Sequence, residues 1–158
     1  MTLQKDVEVL RSIPLFAKIE PARLKLLAFT SEHLEFAPGE TLCRQGEPGD
    51  AAYIVLDGRA DVVVETRDGP VTVASIGRND IVGEIAILCD VPRTATVQAT
   101  TPLAALRVSK EAFFKLVEQF PQIAIEIMGE LASRLYQTTQ RLTEASARLR
   151  LLEAQERA

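Results

Sequence analysis

Between His33 and Val108 the chain breaks into short apolar runs, LEF, TLC, AYIVL, ADVVVE, VTVASI, ATVQA and LAALRV. Turn formers part them at Pro38-Gly39, Gly46 to Asp50, Asp57-Gly58, Asp68-Gly69-Pro70, Gly77 to Asp80 and Pro102. Many short strands with turn signals at such intervals indicate an antiparallel sandwich or barrel. Alternation shows inside one run, where Val62 and Val64 are expected on one face and Asp61, Val63 and Glu65 on the other.

Helical segments flank this block. Residues 1–32 have the pattern of short helices. Leu10, Ile13, Leu15 and Phe16 cluster around Pro14, and Leu24, Leu27 and Ala28 recur at helical spacing after Pro21. Pro21 suits a first helical turn, where a missing N–H costs nothing. Residues 109–158 return to helix. Ser109 is placed to cap KEAFFKLVEQF, Glu111 favours its first turn, and Pro121 opens a second helix with no stop signal after it. The 158 residues suffice for one well-filled domain and are too few for two ordinary ones.

Composition excludes several function classes. Hydrophobic residues at 47% and charged residues at 25% mark a globular domain and not a disordered chain. No apolar run approaches the roughly 20 residues of a membrane helix. The start, MTLQKDVEVL, lacks the apolar core of a secretion signal. Cys43 and Cys89 stand far apart, which suits a reduced cytoplasm. A net charge of −4 argues against a nucleic-acid surface. His33 is the sole histidine, so a histidine-rich metal site is excluded, and no metal or cofactor is expected.

A helix from 121 to 157 would be roughly 55 Å long at about 1.5 Å per residue, too long for so small a domain to bury. Along it Leu131, Leu135, Thr138, Leu142, Ala145, Leu149 and Leu152 follow steps of four and three, a heptad seam with polar flanks such as Arg134, Gln137, Arg141, Glu144 and Arg148. Over 123–135 Ile123, Ile125 and Ile127 add apolar width, so that part is expected to fold back on the β block. Beyond Thr138 the stripe narrows and a second chain is the expected cover, giving a parallel homodimer through residues 138–158.

The segment from Gly83 to Val97, GEIAILCDVPRTATV, is unusual within a β-rich region. A strand ending at Val82 meets Gly83, then a short helix-forming stretch, then Pro92, Arg93 and Thr94 just before an apolar strand. Gly83 permits close approach of a ligand or another backbone. A helical turn offers free N–H groups to an anion, and Arg93 offers a permanently charged fork suited to phosphate oxygens. Thr94 adds a hydroxyl. Glu84 would repel a phosphate but would accept from hydroxyls at the other end of a ligand that carries one phosphate and a free ribose hydroxyl. The alternative is plainer: Glu84 and Arg93 as a surface ion pair and Gly83 as a bulge residue.

These residues resemble the phosphate-binding cassette of the cyclic nucleotide-binding domain family, found in kinase regulatory subunits, cyclic nucleotide-gated channels and catabolite activator proteins. That cassette reads approximately Phe-Gly-Glu-Leu-Ala-Leu, a spacer, then Pro-Arg-Ala/Thr-Ala. This chain has Val82-Gly83-Glu84-Ile85-Ala86-Ile87 and Pro92-Arg93-Thr94-Ala95. The resemblance runs from Ile13 to about Gln140 and takes in Ile13-Pro14-Leu15-Phe16, Pro38-Gly39-Glu40, Gly46, Gly49-Asp50, Tyr53-Ile54-Val55 and Gly58.

The resemblance implies an eight-stranded antiparallel jelly-roll β-barrel over about 33–108, with flanking helices, in a nucleotide-binding domain over 1–140. It implies that Arg93 pairs with the cyclic phosphate, helped by Thr94 and the Ala86 N–H, while Glu84 accepts from the ribose 2′-hydroxyl beside Gly83. Val82 stands where the family has an aromatic. For the base, Thr94 after the arginine is associated with guanine. Against that, Ser133 to Thr139 resembles the dimer helix of the catabolite activators, in which residues at the places of Thr138 and Thr139 contact the adenine amine. The other reading makes Thr138 and Thr139 ordinary surface residues. The expectation is cAMP ahead of cGMP.

After the helix no basic recognition helix follows, so direct DNA contact is not expected. An enzyme is not expected either, because no histidine cluster and no nucleophile–base pair is present. The implied function is a cyclic nucleotide sensor in the cytoplasm that closes its C-terminal helices over the ligand and signals to an unidentified protein partner. The alternatives are a degenerate domain serving as a dimeric scaffold, or a fragment of a larger cAMP-regulated transcription factor or channel.

Overall fold

The central strand of the molecule faces two cores at once. In the computed structural model, which describes residues 3–157 and leaves out the side chain of Ile85, that strand is β3 (Ala51–Asp57), buried in every residue but the last. Successive side chains of a strand point to opposite faces. Ala52, Ile54 and Leu56 accordingly enter a core under the helices, while Tyr53 and Val55 enter a second core between the sheets. β8 (Leu103–Ser109), paired antiparallel to β3, divides in the same way, with Leu106 and Val108 on the helix side and Leu103 and Ala105 on the other.

The remaining elements build three layers around this pair. β1 (Glu32–Phe36) and β6 (Ile81–Val82) complete a four-stranded sheet in the order β1-β8-β3-β6. β2 (Thr41–Cys43), β4 (Ala60–Thr66), β5 (Gly69–Ile76) and β7 (Thr96–Ala99) form the second, in the order β2-β7-β4-β5. α1 (Leu3–Ser12), α2 (Pro21–Thr30), α4 (Lys110–Gln119) and the start of α5 (Gln122–Arg157) cover the first sheet. A short helix, α3 (Glu84–Cys89), joins β6 to the segment before β7 and anchors in the helix-side core through Ile87.

The mainly β fold with flanking helices agrees with the sequence, but the closed barrel does not. All strand pairs among the described residues are antiparallel, and none joins the two sheets, so the block is a jelly-roll sandwich. β6 has two residues and β2 three, too short to carry a ladder across either edge. The β4–β5 register shifts between Val62 and Val63, where Val73 of β5 is the extra, unpaired residue, while β4 pairs with β7 without a shift and Val62 packs on the core between the sheets as its alternation suggests.

The N-terminal expectations hold in detail. Leu10, Ile13, Leu15, Phe16, Leu24, Leu27 and Ala28 are all buried, and Pro21 stands at the first turn of α2. The Ser109 hydroxyl accepts from the Ala112 N–H and caps α4. α5 is 36 residues long, about 54 Å. Ile123 and Ile127 are buried in the helix-side core and Leu131 leans on it. Ile125, expected to widen that buried stripe, is 59% exposed. Two residues along a helix is a turn of about 200°, which puts it on the far side from Ile123.

Candidate nucleotide-binding site

A cavity of about 150 Å³ opens where β6, α3 and the segment before β7 meet the second sheet. Val82, Gly83, Glu84, Ala86, Arg93 and Thr94 all line it, together with Cys43, Val62 and Val97. Six of the eight residues singled out in the sequence are therefore brought to one place. The other two, Thr138 and Thr139, are exposed on α5 and do not line it.

Arg93 is held from both sides. Its N–H donates to the Glu47 carbonyl at 2.8 Å, and its own carbonyl accepts from the Gly46 N–H at 2.9 Å, so the irregular arm after Pro92 is laced to the β2–β3 loop. The guanidinium lies 5.7 Å from the centre of the Tyr53 ring and is 3.7 Å from the Asp50 carboxylate, which in turn meets Arg107 at 3.1 Å. The residue is 5% exposed, and its Nη1 is buried without a hydrogen-bond partner. A buried cationic donor without a partner costs free energy on the order of a few kcal/mol. Arg93 lines the cavity, and the unmet donor leaves its guanidinium suited to an anion there.

Gly83 is required by this packing. It sits at φ 88°, a left-handed conformation that side chains disfavour, and a Cβ there would collide with Arg93 Nη1. Gly49 plays a matching part on the other side, since a Cβ at that position would collide with the Ala86 methyl. The two glycines let the loop, α3 and the arginine arm close on one another.

Glu84 is partly buried, and its carboxylate lies 3.9 Å from the guanidinium of Arg134 on α5. Arg134 also reaches Glu130, one turn earlier, at 3.8 Å. Sequence reading placed Arg134 among the polar flanks of the seam and missed this contact. A helix pattern reports which face is polar but not what that face meets. Thr138 stands one turn beyond Arg134 on the same helix.

Cys43 was also missed as a site residue. Burial raises its thiol above the ordinary value, with the Arg93 charge pulling the other way. Among the described residues no cluster of His, Cys, Asp and Glu could hold a metal ion, and no helix is long and apolar enough to cross a membrane.

A jelly-roll sandwich whose cassette lines one cavity with a buried arginine and a glutamate has the features of a small-ligand-binding domain. The sequence model of the cyclic nucleotide-binding domain matches residues 33–120, more than half of the chain. The chain belongs to that family. It is similar to a CRP-like cAMP-activated global transcriptional regulator of Mycobacterium tuberculosis, 28% identical over 87% of this chain and 62% of the regulator. It is also similar to the cAMP-dependent protein kinase regulatory subunit of Colletotrichum orbiculare, 33% identical over 70% of this chain and 28% of the subunit. Among solved structures, the N-terminal domain of a transcriptional regulator from Streptomyces coelicolor A3(2) superposes with a TM-score of 0.76 at 29% identity, covering 85% of this chain and 94% of that one. The chain thus spans less than two thirds of the length of these two curated relatives, which are regulatory proteins.

Proposed function

We propose that this chain is a cyclic nucleotide sensor, with cAMP ahead of cGMP, that signals to a protein partner and carries out no chemistry of its own. The observation that carries the reading is the buried Arg93, which lines a cavity shared with Glu84 and whose Nη1 has no hydrogen-bond partner. Arg93, with Thr94 and the Ala86 N–H, holds the cyclic phosphate. Glu84, beside Gly83, accepts from the ribose hydroxyl. The cavity of about 150 Å³ is small beside the roughly 300 Å³ at which ligand pockets begin. The phosphate and sugar fill it, and the base projects past Val82 towards α5.

That geometry gives α5 its part. A ribose hydroxyl on Glu84 competes with Arg134, so ligand binding alters a contact between the cassette and the helix. Closure of the helices after Ser109 over the base shifts the population towards the liganded arrangement. Residues 1–140 form the binding domain, and residues 138–158 extend it as a dimerisation helix. Leu135, Leu142, Leu149 and Leu152 are all more than half exposed on the part of α5 beyond Arg134, where every described residue is exposed. A parallel second copy covers them and brings Thr138 and Thr139 of the pair to the base. The cytoplasm suits such a sensor. The partial coverage of the relatives supports a second reading, in which these residues are the sensor part of a longer cAMP-regulated protein.

Calorimetric titration of cAMP and then cGMP into refolded, nucleotide-free protein tests the reading. One nucleotide per chain at micromolar affinity or better is expected, with cAMP the tighter. Binding of neither overturns it in favour of a dimeric scaffold.

A further inference from the structure

Cys43 is the cavity residue that the nucleotide reading leaves without a role. It ends β2, where the pairing with β7 slips between Thr41 and Cys43, and it is partly buried. It opens into the same space as Arg93 and Thr94. A second observation makes that space a trap for anions: Arg93 is 5% exposed, its Nη1 has no partner, and its Nη2 meets only the Asp50 carboxylate, at 3.7 Å. The thiol does not satisfy that charge, because burial keeps it protonated at neutral pH against the pull of Arg93.

We propose that Cys43 is a covalent modification site for small anionic electrophiles, which Arg93 draws into the cavity, and that the adduct and a cyclic nucleotide exclude each other. The exclusion rests on the nucleotide reading; the anion-guided reaction does not. A reagent with a carboxylate sets that group on the guanidinium and its electrophilic carbon beside the sulfur. The thiolate fraction attacks the carbon, an S–C bond forms, the carbon–halogen bond breaks, the halide leaves and the thiol proton passes to solvent. The product keeps its carboxylate against Arg93 in a cavity of about 150 Å³, with no room left for a phosphate and sugar.

Cys89 supplies the comparison within the same chain. It is exposed at the end of α3, outside the cavity, and its neighbour Asp90 is paired with Lys110 at 2.9 Å. Lys110 is thus neutralised by Asp90, whereas Arg93 meets Asp50 only through Nη2 and leaves Nη1 unpartnered.

The test reacts the whole chain with iodoacetate and, separately, with the uncharged iodoacetamide, following each cysteine by peptide mass spectrometry. The iodoacetate-to-iodoacetamide rate ratio is expected to be about tenfold higher at Cys43 than at Cys89, the low end of electrostatic focusing. The difference should collapse in Arg93→Gln and shrink as salt is raised in the unmutated protein, which keeps the test valid if the variant misfolds. Saturating cAMP should protect Cys43 and not Cys89, and carboxymethylated protein should no longer bind cAMP. Equal ratios at the two cysteines, or no reaction at Cys43, overturn the proposal. Binding of cAMP without protection overturns the exclusion alone. Should unmodified protein bind no cAMP, the nucleotide reading and the exclusion fall together, while the rate ratios still decide the anion-guided reaction.

Discussion

One helix, α5, is built in two contrasting ways. From Gln122 to Arg134 it is part of the domain, with Ile123 and Ile127 sealed in the helix-side core and Arg134 touching the cassette through Glu84. From Leu135 onward every described residue is exposed, leucines included. The helix itself does not change in hydrogen bonding between the two halves; what changes is whether anything lies against its apolar stripe. In the first half, burial of about 25 cal/mol per Å² of apolar surface holds the helix in place. In the second that gain waits for a partner. The bare stripe even begins inside the first half, on the opposite side, where Ile125 and Met128 are each 59% exposed. Leu131, the first residue of the seam, leans on the chain's own core, as expected for residues 123–135.

The contrast can be broken most forcefully in the core. Ile123→Ala should cost about 2–5 kcal/mol in chemical denaturation, as deletion at a fully buried site does. Leu142→Ala, on the same helix, should change the stability of the isolated chain by no more than about 0.5 kcal/mol, while weakening self-association in sedimentation. Equal losses at the two positions would erase the distinction.

Next in size is the site itself. Arg93→Ala should weaken cAMP binding by about 2–5 kcal/mol, well beyond tenfold, with the fold intact by circular dichroism. Gly49→Ala should follow, because the new methyl displaces Ala86 and with it α3. Overpacking of this kind costs about 1–3 kcal/mol, seen as a lower melting temperature together with weaker nucleotide binding.

The smallest effect is one of pH. Burial raises the Cys43 thiol above its ordinary value, so the group is neutral below that value and becomes a thiolate only as the pH climbs through it. A thiolate in the cavity competes with the phosphate for Arg93. As far as this group is concerned, titration should show cAMP affinity level through neutral pH and declining only above the ordinary thiol range, with Cys43→Ser lacking the decline.

Much of the fold was legible because it depends on short-range rules. Pro21 and Ser109 mark helix starts by their backbone chemistry alone, and the turn formers between residues 33 and 108 delimit the strands. The cassette was legible for a related reason: Gly83, Glu84 and Arg93 lie within one stretch, where local geometry already confines them. Other features were illegible because they join residues distant in sequence. The β5 bulge at Val73 is a matter of pairing with β4, the contact of Arg134 with Glu84 spans the cassette and α5, and the cavity face of Cys43 exists only once β2 meets β7.

The sequence by itself determined the order of helices and strands, the cassette and the apolar stripe of the last helix, because periodicity, turn chemistry and residue type act locally. Tertiary structure alone decided that the strands form two sheets and not a closed barrel, and that Ile125 faces outward. It also decided that Arg93 is buried with one nitrogen unsatisfied. Those outcomes turn on which surfaces exclude water from one another, and that is settled only when segments far apart in the chain are packed together.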